Sequence, residues 1–474
     1  MQGQRTNLHN LISTLIKETE EKLLEICEHA DLTKPSDNIG VSFTGLVKEQ
    51  VSELGRCVVT GYLESLDEPT AFLEREGKRY LHKGKSRKEL VTALGKVNIS
   101  RSYYQHWSGG KCLFPLDERL GVNRELLMPD VREVVLYACS HNTPEESSQL
   151  LDKCSLIRLH PTQIKQTITK ANELLESQGE DIMENVRKKG TITKSDLLVC
   201  SLDGVNVLLN ECGKRKGRPM ERPTGKENRQ ASAYKNVMCG SITHYDVVEQ
   251  EGQKQPRRLS SSYIARMPED YYPCFKREFE KEVEGVTSAH STVKLIITDA
   301  HRSISGYLRD NPVFEGFHRI IDYYHASEHL SLLAEALHGK SSRKATLWYA
   351  KYRNVLQHEN RGVEKLIRSA YYYLAKQKYS QNREKEILKQ LGYFKNHGMY
   401  MKYAEYLNKG WPIGSGVIEA ACKSIVKQRM CRSGQRWSIK GGQAILNLRT
   451  IVKSNRWPTF WNEFSERYHD KISA

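Results

Sequence analysis

Three acidic residues, widely separated in a chain of 474, are the first candidates for chemistry. Asp203 lies in Val199-Cys200-Ser201-Leu202-Asp203-Gly204-Val205-Asn206-Val207, among apolar residues of strand character. A carboxylate inside a strand is costly unless something pairs it, and a metal ion would. Asp-Gly between apolar runs is equally the signal of a tight hairpin turn. Asp299 follows the continuous apolar run Leu295-Ile296-Ile297-Thr298. Ligands gather at the carboxyl ends of strands in α/β sheets, although Asp also caps helix N-termini well. Glu419 follows Gly414-Ser415-Gly416-Val417-Ile418, where the glycines permit close approach at a helix start. Lys423 and Lys427 lie four and eight residues later on the same helical face, so a solvated Glu–Lys pair is the plainer alternative. Between Lys409 and Arg456, however, Glu419 is the only acid against ten basic residues. Such a stretch suits phosphates.

Two aspartates on separate strands and a glutamate on a late helix can converge on two divalent cations. With the ions about 3.5–4 Å apart, one activates water or a 3′-hydroxyl and the other stabilises the leaving oxygen. Carboxylate ligands favour Mg2+ (or Mn2+), and the chain offers no Cys/His cage. The eleven cysteines form no Cys-x-x-Cys pair, and those in apolar segments (Cys27, Cys139, Cys200, Cys239) read as small core residues.

The elements that must position these acids follow from patterning. Lys+Arg is 73 against 57 Asp+Glu, a net charge of +16 that points toward nucleic acid. With 38% hydrophobic and 27% charged residues the chain can fold. No apolar run approaches a membrane span, and the polar start is not a signal peptide, so a soluble, cytoplasmic protein is expected. Helical spacing predicts helices over 7–31 and 46–63, and a β-like segment over 89–107 broken at Gly95-Lys96. Residues 144–153 and 161–175 could form a helix-turn-helix, with Thr162 as N-cap and Lys165 and Lys170 on the polar side. An ordinary helical hairpin is the alternative. Strands are predicted over 197–209, 237–248, 293–298 and 318–321, the first two separated by the basic stretch Cys212–Arg229. Residues 327–408 read as charged helices, and two further helices cover 417–430 and 438–452.

Several of these pieces resemble the motifs of bacterial insertion-sequence transposases of the ISKra type, themselves distantly similar to Mutator-type eukaryotic transposases. They are Asp203-Gly204, Thr298-Asp299-Ala300, Asp322-Tyr323-Tyr324-His325-Ala326-Ser327-Glu328-His329 and Gly414 to Lys423. Arg436-Trp437-Ser438 with Gly442-Gln443-Ala444-Ile445-Leu446-Asn447-Leu448-Arg449 is a further match, and Phe114-Pro115-Leu116-Asp117 a looser one. The resemblance covers about residues 195–455.

The resemblance implies an α/β fold: an RNase H-like catalytic core interrupted by an all-helical insertion and preceded by a mostly helical DNA-binding region. The corresponding segments are 1–190 for binding DNA ends, 191–330 for the first part of the core, 331–410 for the insertion, and 411–474 for the last catalytic helix and C-terminal helices. It implies a DDE transposase with catalytic, metal-holding Asp203, Asp299 and Glu419, two Mg2+ or Mn2+ ions, and accessory Asp322 and His325. Its expected partners are the terminal inverted repeats and target DNA, bound by a homodimer or larger assembly. Lys423, Lys427, Arg429, Arg432, Arg436, Trp437, Lys165 and Lys170 are the expected DNA contacts. Trp348, Trp411 and Trp437 could stack on unpaired bases, although isolated tryptophans are more often core. Zinc bound by His325 and His329 would need a third ligand that is not evident. Relatives carry paired cysteines before the Phe-Pro-Leu-Asp element, whereas this chain has Gln105 to Cys112 there, so no structural zinc is expected. The alternatives are a structure-specific nuclease on the same fold and a catalytically silent DNA-binding regulator derived from a transposase.

Overall fold

The computed structural model describes residues 2–29, 39–190, 194–210, 234–287 and 293–473. The basic stretch Cys212–Arg229 lies outside the described residues. The chain forms two units, one of Met1–Met183 with Pro458–Ala474 and one of Glu184–Trp457. The expected terminal segment, 411–474, is therefore divided between them.

The first unit opens with a helical pair, α1 (Gln2–His29) and α2 (Ile39–Ser65), followed by the antiparallel strands β1 (Phe72–Arg75), β2 (Lys78–Thr92) and β3 (Gly95–His106). Glu76 and Gly77 turn between β1 and β2 with φ of 52° and 71°, the left-handed pair that a two-residue hairpin requires. Thr92 pairs with Gly95, so the second hairpin turns at Ala93-Leu94, just before the expected break. Short α3 (Pro115–Arg119), then α4 (Pro129–His141), α5 (Pro144–Cys154) and α6 (Pro161–Lys189) follow. The Phe-Pro-Leu-Asp element has a physical role here. Pro115 starts α3, Leu116 joins the core, and Arg101 lies 4.2 Å over the Phe114 ring. Asp117, only 2% exposed, accepts from Arg101 Nε at 2.7 Å and from Lys88 Nζ at 2.9 Å. Burial pushes the Lys88 ammonium down from its ordinary pKa while Asp117 holds it up.

Thr143 caps α5 reciprocally with Glu146. Helix α6 begins at Pro161, one residue before the expected cap, and Thr162 instead contacts the His160 ring in the first turn. It also runs well beyond Leu175, because Ile182 and Val186 continue its buried stripe.

The second unit is a mixed α/β structure around a five-stranded sheet. Its strands are β4 (Leu197–Leu208), β5 (Tyr234–Gln250), β6 (Gln253–Arg266), β7 (Val293–Thr298) and β8 (His318–Ile321), in the spatial order β6-β5-β4-β7-β8. The first three are antiparallel neighbours, and β7 and β8 run parallel to β4. Strand β6, a polar edge strand carrying Lys254, Arg257 and Arg258, had no counterpart in the apolar patterning. Charge on an edge also blocks unwanted strand pairing.

Alternation along β4 assigns the two faces of the sheet. Leu198, Cys200 and Leu202 pack against Phe275 and Phe279 of α7 (Pro273–Thr287) and Leu308 of α8 (Arg302–Asp310). On the opposite face, Leu197 and Val199 meet a helical block: α9 (Tyr323–His338), α10 (Arg343–His358), α11 (Gly362–Lys376), α12 (Gln381–His397) and α13 (Tyr403–Asn408). Further along that face, Val205 and Val207 pack on α14 (Gly416–Ala421), a π-helical segment Cys422–Lys427, α15 (Gln428–Met430) and α16 (Ile439–Lys453).

Gly240, opposite Leu202, allows α7 to close on the sheet. A Cβ at that position would lie 2.6 Å from the Phe279 ring and 3.3 Å from Phe275. Both rings are buried and have nowhere to retreat. Gly240→Ala is expected to destabilise this unit by about 1–3 kcal/mol, measured as a lower urea midpoint at unchanged m-value.

The last helix, α17 (Trp457–Ser473), completes the first unit's core. Phe460, Phe464 and Tyr468 are buried, Arg132 lies 4.4 Å over the Tyr468 ring, and the Tyr468 hydroxyl donates to Glu125 at 3.2 Å. Of the cysteines expected in cores, Cys139, Cys200 and Cys239 are buried, but Cys27 is exposed on α1.

Candidate active site

Asp203 and Gly204 run straight through β4, paired with Cys239 and Met238, so the hairpin alternative is excluded. A Cβ on Gly204 would lie 2.3 Å from the Asn236 side-chain amide, which would have to move. The last parallel pairs are Ser201 with Ile297 and Thr298 with Ile321. Carried onward, the same register sets Asp203 beside Asp299 and Asp299 beside Asp322. The Asp322 N–H donates to the Thr298 carbonyl at 3.0 Å, as that register demands. Neighbouring strands are about 4.8 Å apart, so by register Asp203 within β4, Asp299 just after β7 and Asp322 just after β8 occupy one row of positions across three parallel strands. They lie on the face where the helical block and the α14 helix both pack. Asp299 does not cap α8; it accepts from the His301 N–H at 3.2 Å in the turn before that helix, whose N-cap is His301.

Glu419 stands in the first turn of α14 and is exposed; the Ser415 hydroxyl donates to its Oε1 at 3.4 Å. Ile418, Ala421 and Cys422 anchor the helix against Val205, Val237 and Cys239. Cys239, the β5 partner of Asp203, packs in one cluster with Cys422 of this helix, and the Cys239 thiol, then burial, then Asp203 push the Cys422 thiol well above its ordinary pKa. Glu419 lies three residues before Cys422, on an adjoining part of the same face. Directly after it the helix widens into its π-helical segment, a feature frequent at functional sites. Buried Arg449 braces that segment, donating from Nε to the Ile425 carbonyl at 2.6 Å and also to the Ser424 carbonyl. Burial first, then Arg429 and Arg432, push its guanidinium down to about 10. The Asn-Leu-Arg motif contained this residue, but the motif alone did not disclose what it braces.

Asp322 is 3% exposed and caps α9, its Oδ1 accepting from the His325 N–H at 2.7 Å. The His325 imidazole lies 3.6 Å from Glu328 and 5.0 Å, centre to centre, from the His329 ring. His329 contacts Gln390 Oε1 at 2.6 Å and stacks on Tyr393 at 3.7 Å. Burial first, then the negative charges of Asp299, Asp322 and Glu328, push the Tyr393 hydroxyl up. Tyr393 carried no separate signal in the sequence.

Burial pushes the imidazoles of His329, His338 and His397 below their ordinary pKa. The unfolded chain therefore takes up these protons first, and stability present above about pH 6.5 is lost as the pH falls through the folded values. The thermal midpoint is expected to fall between about pH 7.5 and 5.5, with a shallower slope in His329→Gln.

The expected DNA contacts separate into two groups. Lys423, Lys427 and Arg436 are exposed and Arg432 is half-buried. Arg429 is 2% exposed and lies 5.0 Å over the Trp437 ring, so it braces the helix and does not reach phosphate. Trp437 is likewise committed, donating to the Met430 carbonyl at 2.9 Å and packing on the core. Trp348 donates to Ser369 at 3.2 Å, and Trp411 stacks on Tyr406 at 5.7 Å. Trp348 and Trp411 are buried, and Trp437 is half-buried against the core. Lys165 and Lys170 are exposed but paired, with Glu145 at 2.8 Å and Glu125 at 2.6 Å.

Asp203 and Asp299 offer oxygen ligands alone, the donor type that Mg2+ and Mn2+ favour. The donor chemistry fits a divalent cation, and two of the three expected ligands are neighbours by register. Among the described residues, no group of three or more His, Cys, Asp or Glu side chains is drawn together as a ready-made metal site. Among those residues, too, no helix is long and apolar enough to cross a membrane.

The profile of an uncharacterised protein family, UPF0236, matches residues 39–246. The chain is similar to UPF0236 proteins of Caldanaerobacter subterraneus subsp. tengcongensis. One is 25% identical over 150 residues, 29% of this chain and 32% of the relative. Another is 27% identical over 120 residues, 25% of this chain and 26% of the relative. The match thus spans about a third or less of the relatives' length. Among solved structures, the Drosophila P element transposase strand transfer complex aligns over 73% of this chain and 91% of that chain. Its identity is 11% and its TM-score 0.23, a likeness too slight to carry an argument.

Proposed function

We propose that this chain is a DDE transposase that cleaves the ends of an insertion sequence and joins the freed 3′-hydroxyl to target DNA. The observation that carries the reading is the β4–β7 register, whose last pair is Ser201 with Ile297 and which, carried on two residues, sets Asp203 within β4 beside Asp299 just after β7, on the face that also receives the Glu419 helix. A sheet ordered third-second-first-fourth-fifth, in which only the second strand runs against the other four, supports an RNase H-like core. The helical block between Asp299 and Glu419 is then the insertion in that core.

Asp203 and Asp299 hold the divalent ions, and Glu419 completes their ligands from α14. When bound, the ions supply activation of water or a 3′-hydroxyl and stabilisation of the leaving oxygen. Lys423, Lys427 and Arg436, exposed around the only acid in a basic stretch, take the phosphates. The first unit binds the terminal inverted repeats, with Lys165 and Lys170 exchanging their glutamates for phosphate, and two ends are held by a dimer or larger assembly. Incubation of the full chain with labelled end DNA, plasmid target and Mg2+ tests the reading. Joined products are expected; nicks without joining indicate a structure-specific nuclease, and binding without cleavage indicates a regulator.

A further inference from the structure

The carboxylate row contains one member whose oxygens are already in use. Asp322 Oδ1 accepts from the His325 N–H, and its Oδ2 accepts from the Ser415 N–H at 2.5 Å, 93 positions further along the chain. Each bond joins a different element to the end of β8: the first turn of α9, and the loop that starts the Glu419 helix. The backbone reinforces the junction, since the Tyr323 N–H donates to the Ile413 carbonyl at 3.0 Å. The Tyr403 hydroxyl donates to the Ile321 carbonyl at 2.9 Å from the far end of the helical block. Gly414 permits the approach: a Cβ there would lie 2.8 Å from the Tyr324 ring and 3.8 Å from Asp322 Oδ2.

From this geometry we infer that Asp322 is not a third aspartate for metal. It is the positioning residue that holds the start of the Glu419 helix to the strand ends and to the helical block. The inference rests on the transposase reading for its functional meaning, but the latch itself is a matter of hydrogen bonds. Hydrogen bonds to a charged acceptor are stronger than neutral ones. A carboxylate with two backbone donors and little exposure has small capacity left for an ion. Glu419, exposed and accepting a hydrogen bond from the N-cap Ser415, depends on this loop for its place relative to Asp203 and Asp299.

Amide hydrogen exchange of the full chain without metal tests the latch independently of activity. Asp322→Asn keeps the shape but retains only one acceptor, turning an amide NH2 toward the other donor. Exchange across residues 413–419 is expected to accelerate at least about tenfold, while Asp203→Asn leaves that segment unchanged. In parallel, single-turnover cleavage by Asp322→Asn slows while its affinity for end DNA stays at the wild-type value. Should Asp322→Asn fold poorly, Gly414→Ala makes the same test from the opposite side, because its methyl group meets the Tyr324 ring and crowds the loop residue that precedes Ser415. Unchanged exchange over 413–419 in a folded variant overturns the latch, even if the wild-type chain transposes. Accelerated exchange together with a wild-type chain that never cleaves DNA leaves the latch standing and removes the transposase reading.

Discussion

Asp203→Asn is expected to lower metal-dependent end cleavage by on the order of a thousandfold or more while leaving end-DNA binding intact, and Asp299→Asn to do the same. The parallel register of β4 and β7 makes the two residues neighbours, Asp203 within β4 and Asp299 just after β7, and neither is in the first unit. Asparagine keeps the volume and the strand, but removes the charge that would hold a divalent ion. The measurement pairs gel-shift affinity with single-turnover cleavage in Mg2+ and in Mn2+. Cleavage persisting within about tenfold of wild type in either variant would mean that the carboxylate row is not the catalytic centre.

The second large effect concerns stability. Asp117→Ala is expected to cost the first unit about 3–5 kcal/mol, because it leaves Arg101 and Lys88 buried without their shared acid. Arg101 would keep only its bond to the Ser86 carbonyl, and Lys88 only its bond to that of Val122. Replacing all three by apolar residues of similar volume is expected to recover most of the loss, since the desolvation cost disappears with the charges. Denaturant melts of the single and triple variants decide between this account and a merely local role for α3.

The strands that carry the candidate site were legible because they are buried on both faces. Val293–Thr298 and His318–Ile321 appear in the structure with the bounds that their apolar runs predict. Strand β6 was not, because an edge strand with one wet face shows few apolar residues. Asp203-Gly204 was open between strand and turn; what decides it, pairing with Cys239 and Met238, belongs to the neighbouring strand. Composition singled out Glu419, yet the same basic stretch concealed that Arg429 and Trp437 turn inward. Local patterning predicts which residues share an element, but not which strand lies beside which, nor in what register. The alignment of Asp203 with Asp299 and the bond from Ser415 to Asp322 both depend on that missing information.

Helix α17 has a consequence for how the protein is made. The first unit's core needs Phe460, Phe464 and Tyr468, which leave the ribosome only after all of residues 184–457 have been synthesised. The sheet-bearing unit is continuous and can fold while translation proceeds, whereas the unit begun first must wait, its apolar interior open, for its closing helix. A ribosome that stops after residue 457 would thus release a finished second unit tethered to an unfinished first one.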